Sequence, residues 1–404
     1  MTTQGGAQGP IRPGNDLDHR VRERASALGF DVVGFARADE PLGVEHERYL
    51  EFVARGMHGE MGYLADNVEV RRRVDSANIL EGARTVICVG RRYARSRVEE
   101  DADSPLARGI ARYARGQDYH NHLKKRLRRL ADFVRGLAEG VGARALCDIE
   151  PLLERAWAVR SGLGFVGKNG LLITPGQGSY QLLGEVVTTL ELTPGTPMTE
   201  RCGECTRCLV ACPTAAFDAP FVLDPRRCIA YLTIEKAGPP PPEFESAIGE
   251  HLFGCDVCQE VCPWNRTAPA PTEHSRPFHP LARWSELDLE DLVALDDTSW
   301  PRVSEGTPLR RPQREGLARN AVLVARSRLA RGQGDLEEAR RALCRAQEHG
   351  DPMVRALASR ALPERSALPQ EGDGSGSPIP IHGAAEVDRR SPIEGTADAG
   401  PDSR

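Results

Sequence analysis

Eight of the eleven cysteines of this chain lie between Cys202 and Cys262, and their spacing limits what that stretch can become. Cys202, Cys205, Cys208 and Cys212 run into Pro213, Cys228 stands alone, and Cys255, Cys258 and Cys262 run into Pro263. The first run has the CxxCxxCxxxCP spacing of bacterial ferredoxins, in which three thiolates hold one iron-sulfur cluster and the fourth reaches a second cluster. Two such half-sites imply two clusters. Cys202, Cys205, Cys208 and Cys262 are assigned to one 4Fe-4S cluster, and Cys212, Cys228, Cys255 and Cys258 to the other, so no thiolate of the stretch is left over. Zinc ribbons also use paired CxxC units, but tetrahedral zinc does not need a third cysteine at that spacing followed by Cys-Pro. Disulfides fit less well again. The chain opens MTTQGGAQGPIRPG, with no basic-then-apolar leader and no apolar run of membrane-spanning length, so the expected compartment is the reducing cytoplasm, with no membrane partner. Cys88, Cys147 and Cys344 lie apart and read as buried or inert thiols.

A ferredoxin alone needs fewer than a hundred residues or so, yet roughly two hundred precede these cysteines. Helix and strand patterns recur there. Leu17 to Leu28 reads as a helix, Asp31 to Ala36 as a strand, His46 to Asp66 as a helix and Thr85 to Val89 as a buried strand. His120 to Glu139 reads as a long amphipathic helix and Ala145 to Asp148 as a strand. Pro151 to Ser161 reads as a helix with Pro in its first turn, and Leu171 to Thr174 and Tyr180 to Leu192 as strands. The expected class is α+β. Gly162 to Lys168 (GLGFVGK) fits GxGxxG and comes close to a phosphate loop, but a helix precedes it and a strand follows, the reverse of what either motif requires. Its glycines are expected instead to let the backbone pass close to another large ligand.

Beyond the cysteines, Gly238 to Pro242 (GPPPP) should form a stiff extended spacer. Leu309 to Pro363 returns to helical periodicity and suggests a small helical repeat, or a plain helical cap. The last residues, Ser366 to Arg404, contribute -4 of the net charge of -5 and are rich in Gly, Ser and Pro, so a disordered acidic tail is expected over 365–404 and a flexible start over 1–14. The expected divisions are a catalytic domain at 15–199, a ferredoxin-like domain at 200–270 and a helical domain at 300–364.

Several strings agree in order and spacing with one family: RYARGQDYH (Arg112 to His120), DIEPLLER (Asp148 to Arg155), GLGFVGKNGLLI (Gly162 to Ile173), CGECTRCLVACPTAA from Cys202, LDPRRCIAYLTIE (Leu223 to Glu235) and FGCDVCQEVCPWNR (Phe253 to Arg266). Over about residues 15 to 365 the chain resembles the epoxyqueuosine reductases. That resemblance implies an N-terminal cobalamin-binding domain related to nitroreductases and reductive dehalogenases, a two-cluster ferredoxin-like domain and C-terminal HEAT-like helices. It also implies the activity: epoxyqueuosine at the wobble position of a tRNA anticodon is reduced to queuosine by cobalamin, which the 4Fe-4S clusters reduce in turn. An electron donor is needed that the sequence does not identify, and a monomer is expected.

An epoxide oxygen leaves poorly unless it is protonated, so a general acid must stand beside it. The family places an Asp at the head of DxxPxxER, which is Asp148 here. A free Asp titrates near ~3.9, so a neutral Asp148 requires desolvation or nearby negative charge, and Glu150 is one source of it. Without the motif, Asp148 would read as a cap before a helix. The resemblance makes Arg71, Arg155, Lys168, Ser179, Tyr231, Asp256 and Gln259 candidates for cofactor contacts, each of which also reads as a salt bridge or loop hydrogen bond. Phe165 and the pair Ile149-Glu150 stand where the family usually has Trp and a small pair, which bears on the packing around the acid.

A tRNA substrate calls for positive surface. Lys124, Lys125, Arg226, Arg227 and Lys236 are the RNA-binding candidates, with Arg71 to Arg73, Arg126 to Arg129, Arg310, Arg311, Arg314 and Arg319 extending a possible track. Charge runs on helices are also ordinary solvated faces. Two rivals remain. A reductive dehalogenase would share the cofactors but not the basic track or C-terminal helices, and a non-catalytic ferredoxin-type carrier would tolerate the loss of Asp148.

Overall fold

The computed structural model describes residues 15–94, 104–269 and 272–360. The expected flexible start, the acidic tail and the end of the last helical segment lie outside the described residues.

The first half alternates helices and strands: α1 (Asn15–Ala27), β1 (Val32–Arg37), α2 (Val44–Ala54), β2 (Thr85–Arg92), α3 (Pro105–Arg108), α4 (Tyr119–Arg135), β3 (Ala143–Leu146), α5 (Glu154–Arg160), β4 (Phe165–Val166), β5 (Leu172–Ile173) and β6 (Gln181–Thr188). Four strands form one sheet in the order β1-β2-β6-β3, every pair antiparallel. All eight residues of β2 are buried, because the sheet is covered on both faces. Successive residues point to opposite faces, so Ile87 and Val186 join α1 and α4 in one core, while Cys88 and Val187 join Trp157 and Ala158 of α5 in the other. Helix α4 shows how patterning decides this. Leu123, Leu127, Leu130, Ala131 and Val134 turn inward, and Lys125, Arg128 and Arg129 stay in solvent.

Three expectations are corrected here. The helix expected from His46 to Asp66 stops at Ala54, because Gly56 and Gly59 take left-handed conformations (φ 60° and 57°) that break the helical ladder. The helix expected to open at Pro151 opens at Glu154 instead. The glycines of GLGFVGK do not make room for a ligand. A Cβ on Gly164 would sit 2.2 Å from the Ile173 carbonyl oxygen and one on Gly162 2.9 Å from that of Thr196, so Gly164 admits the backbone of β5 and Gly162 that of the segment after β6.

The cysteine-rich part carries α6 (Arg207–Val210), β7 (Phe217–Ala219), β8 (Val222–Leu223), α7 (Ile229–Ile234), α8 (Pro242–Ile248), α9 (Val257–Glu260) and α10 (Pro263–Arg266). After it come α11 (Leu289–Val293), α12 (Trp300–Ser304), α13 (Gln313–Arg331), α14 (Leu336–Gln347) and α15 (Pro352–Ser359). Pro242 of the expected spacer already serves as the first residue of α8. Helix α13 is buried nearly all round, as the central member of a helical layer must be. Its core includes Leu106, Ala107, Ile110 and Ala114 from the first half of the chain. Arg319, fully buried on α13, donates to the carbonyls of Gly238 (2.7 Å) and Leu232 (3.0 Å), so it is a brace and not part of a basic surface track. Among the described residues no helix is long and apolar enough to cross a membrane.

Candidate active site

Asp148 lies just past the end of β3, and local hydrogen bonds shape its turn. The Cys147 amide donates to Glu150 Oε2 (2.9 Å), and the Asp148 amide donates to Glu154 Oε1 (2.8 Å) at the start of α5. These bonds hold Asp148 at φ 58°, in the left-handed region that non-glycine residues seldom occupy and Asp tolerates better than most. Glu150 and the exposed Ile149, where the family usually carries a small pair, are therefore accommodated: one caps the turn and the other points to solvent.

The first turn of α4 meets this carboxylate. Asp118 caps the helix by accepting the His120 amide (3.0 Å), and its own amide is held by the Gly306 carbonyl (2.7 Å). Tyr119 Oη donates to Asp148 Oδ2 at 2.5 Å. His120 Nε2 lies 2.9 Å from the same oxygen and Nδ1 lies 2.8 Å from Asp118 Oδ1. A ring between two carboxylates donates from both nitrogens when it is an imidazolium. The hydrogen bonds to Asp118 and Asp148 accordingly raise His120 to about 9.

Asp148 itself departs from expectation. Burial pushes its pKa upward, but the bonds from His120 and Tyr119 outweigh burial and hold it below the usual range. At neutral pH the proton in this arrangement therefore rests on His120. The side chain is 48% exposed, so the carboxylate can be reached from solvent. Arg311, whose guanidinium carbon lies 5.3 Å from the Tyr63 ring centroid and which pairs with Glu235 at 2.9 Å, adds positive charge to the same place.

The cysteines fall into two electrostatic sets. Burial raises the thiols of Cys202, Cys208 and Cys262, and further upward pressure comes from Cys262 on the first two and from Cys205 on Cys208 and Cys262. Burial also raises Cys228, Cys255 and Cys258, with Cys212 acting on Cys228 and Cys255, and Cys228 on Cys255 and Cys258. Cys208 on α6 acts in turn on Cys258 of α9, where the two sets meet. Among the described residues no three His, Cys, Asp or Glu side chains converge on a single ion. A cluster, in which each thiolate binds a different iron, does not require such convergence. Phe165, in place of the family's usual Trp, packs edge-on against Trp264 at 5.4 Å beside Cys262. Cys88 and Cys147 are buried, but Cys344, read as buried or inert, is exposed.

The cofactor candidates separate. Arg155 is solvent-exposed with a guanidinium nitrogen on the Gly170 carbonyl, and Lys168 reaches the Gly203 carbonyl. Arg71 is buried and holds the Tyr63 carbonyl (2.9 Å), while Tyr231 is buried and accepts the Glu60 amide (2.9 Å). Ser179 donates to Gln259 (2.9 Å), Gln259 donates to Asp256 (2.9 Å), and Asp256 accepts the Arg112 amide (2.7 Å), so these three side chains bolt the sheet domain to the cysteine-rich part. Of the RNA candidates, Arg226 is paired with Asp224, Arg227 with Asp218 and Lys236 with Glu60, at 2.8, 3.4 and 2.8 Å. Lys125 projects from the solvent face of α4 and Lys124 is half-buried there.

Sequence reasoning missed Asp118, Tyr119, His120, Glu154 and Glu185 as site residues. The first four lie inside strings already singled out. Glu185, a lone acid in the apolar strand QLLGEVVT, carried its own signal.

Comparison with known proteins gives a consistent result. A family model described as "Epoxyqueuosine reductase QueG, DUF1730" matches residues 73–149, and one for a "4Fe-4S double cluster binding domain" matches residues 201–265. An epoxyqueuosine reductase of Gloeobacter violaceus is 44% identical over 75% of this chain and 93% of its own. One of Pseudomonas aeruginosa is 40% identical over 76% and 84%. Among solved structures, an epoxyqueuosine reductase with an epoxyqueuosine-modified tRNA-Tyr stem loop superposes with a TM-score of 0.74 at 29% identity, covering 85% of this chain and 88% of that one. A Bacillus subtilis epoxyqueuosine reductase whose catalytic aspartate loop is swung out of the active site gives 0.72 at 29% identity, with the same 85% and 88% covered. This chain belongs to the epoxyqueuosine reductase family, as an oxidoreductase with a double 4Fe-4S cluster domain.

Proposed function

We propose that the chain reduces epoxyqueuosine to queuosine in the anticodon of tRNA, with Asp148 delivering the proton that lets the epoxide oxygen depart. The observation that carries this reading is the row Asp118, His120, Asp148, ending in a carboxylate open to solvent, with hydrogen bonds of 2.8 and 2.9 Å on the two ring nitrogens. Removing the oxygen as water breaks two C–O bonds, forms a C=C bond and consumes two electrons and two protons. The proton resting on His120 Nε2 passes to Asp148 Oδ2, which presents it to the oxygen, and solvent recharges His120 for the second proton. Tyr119 fixes the carboxylate by donating to Oδ2. The alkaline limb of such a relay follows from His120, which is charged below about 9.

Cys202, Cys205, Cys208 and Cys262 would hold one 4Fe-4S cluster, and Cys212, Cys228, Cys255 and Cys258 the other, in keeping with their two electrostatic sets. The surface beside Asp148 suits cobalamin: Ile149, 67% exposed, and the open Arg155 offer an apolar surface and a charged hydrogen-bond donor to a large ring with amide arms. Bound there, cobalamin would supply a strongly reducing cobalt to the epoxide carbon. Lys168 and Arg155 are the better-placed contacts. Lys124 and Lys125 on α4 remain the RNA candidates without an acidic partner among the ion pairs of the described residues. The divisions at 15–199, 200–270 and 300–364, the HEAT-like character of the last helices, a monomeric state, cytoplasmic placement and an unidentified electron donor belong to the same reading.

The test is anaerobic conversion of tRNA carrying epoxyqueuosine by cluster-loaded protein, with nucleosides followed by mass spectrometry with and without cobalamin. Cobalamin-dependent loss of one oxygen is expected. Unchanged tRNA with fully loaded protein would send the search to organohalides.

A further inference from the structure

Behind Asp148 lies a second acidic assembly that proton delivery does not use. Glu185 sits in the middle of the sheet, in register with Cys88 of β2 on one side and Leu146 of β3 on the other. It shares their face, the one covered by α5, and it is completely buried with neither carboxylate oxygen hydrogen-bonded. Glu154 opens α5 and lends Oε1 to the Asp148 amide at 2.8 Å. The titratable and charged groups around the pair are Cys88 from β2, Cys147, Asp148 and Glu150 from the end of β3, and Arg155 from α5. Ionising both carboxyls would set two like charges beside a third, that of Asp148, with the charge on Glu185 cut off from solvent. The two differ in what they are offered. Glu154 has a backbone donor that favours its charged form, whereas Glu185 has none and keeps its proton. Burial, followed by the charge of neighbouring groups, raises both.

We propose that Glu154 and Glu185 hold one proton between them, resting on Glu185, and that Glu154 is the positioning residue of the site, its carboxylate fixing the left-handed backbone of Asp148 and biasing the Asp148–His120 unit toward its protonated state. The inference rests on the role given above to Asp148. Glu154 touches the reaction only through that backbone and its charge.

The experiment measures single-turnover conversion against pH for the full chain loaded with clusters and cobalamin, in wild type, Glu154→Gln and Glu185→Gln. Glutamine preserves shape and the acceptor for the Asp148 amide, so a merely structural Glu154 would leave the profile in place. The expected result is that Glu154→Gln, which removes one negative charge, moves the alkaline limb down by up to roughly one pH unit. Glu185→Gln, which removes none, leaves the limb where it was. Infrared spectroscopy of the same proteins gives a readout independent of turnover: the carbonyl stretch of a protonated buried carboxyl is expected at neutral pH in wild type and in Glu154→Gln, and is lost in Glu185→Gln. Equal limb movement in both variants, an unmoved limb in Glu154→Gln, or a band that survives Glu185→Gln overturns the proposal. Absence of the band in wild type overturns it without any variant having to fold. If wild type leaves the tRNA unconverted, the functional reading fails while the infrared test of the pair still stands.

Discussion

The cysteine-rich segment and the Asp148 site solve opposite problems. In the first, the chemistry is held by thiolates three or four residues apart, so a short run of chain supplies most of what a cluster needs, and α6 and α9 bring only the two halves together. In the second, the reacting unit joins the start of α4 to the turn between β3 and α5, with His120 and Asp148 28 positions apart in sequence. Metal ligation writes itself into spacing, whereas proton chemistry depends on charges that the fold brings together.

Breaking the first region should have the largest effect. Cys258→Ala removes a thiolate of the second set, and iron analysis is expected to fall from roughly eight to roughly four per chain, with turnover lost. Breaking the second should leave the clusters untouched: Asp148→Asn is expected to lower turnover by about 10²- to 10⁴-fold with iron content unchanged. His120→Gln sharpens the comparison through pH. The folded His120 is raised to about 9 from the ordinary value near ~6.5, so its contribution to stability is complete below the latter and is lost as pH rises through the former. Thermal unfolding of wild type should therefore weaken over that window, and the variant should show a flatter profile. Tyr119→Phe, which removes one hydrogen bond to a charged group, is the mildest change. A loss of about 1.5–3 kcal/mol in the stability of the ionised carboxylate would appear as an upward drift of its titration.

What could be read beforehand follows the same division. The strands Thr85–Arg92 and Gln181–Thr188 and the helix Tyr119–Arg135 were legible because apolar residues repeat at the period of each element. The proposed cysteine assignments rest on spacing. Asp148 was legible through resemblance, but its ionisation was not: the expected upward shift failed because the opposing hydrogen bonds come from residues 28 and 29 positions away. The surroundings of the basic residues were hidden for a related reason. Composition shows arginines and hides their partners, and Arg319 turned inward to hold backbone carbonyls while Arg226 and Arg227 met aspartates. Glu185 shows the converse, a charged residue in an apolar strand whose burial had to be seen before its isolation meant anything.

The amide of Asp118 is tied to the carbonyl of Gly306, and the segment leading to it is buried against α13. The last helices therefore act as a splint for the acid end of the site without lending it a single reacting atom. A shortened chain ending before them would keep every catalytic residue and still lose the alignment among them, and a load placed on those helices by a bound macromolecule would be felt, through one hydrogen bond of 2.7 Å, at the proton-carrying histidine.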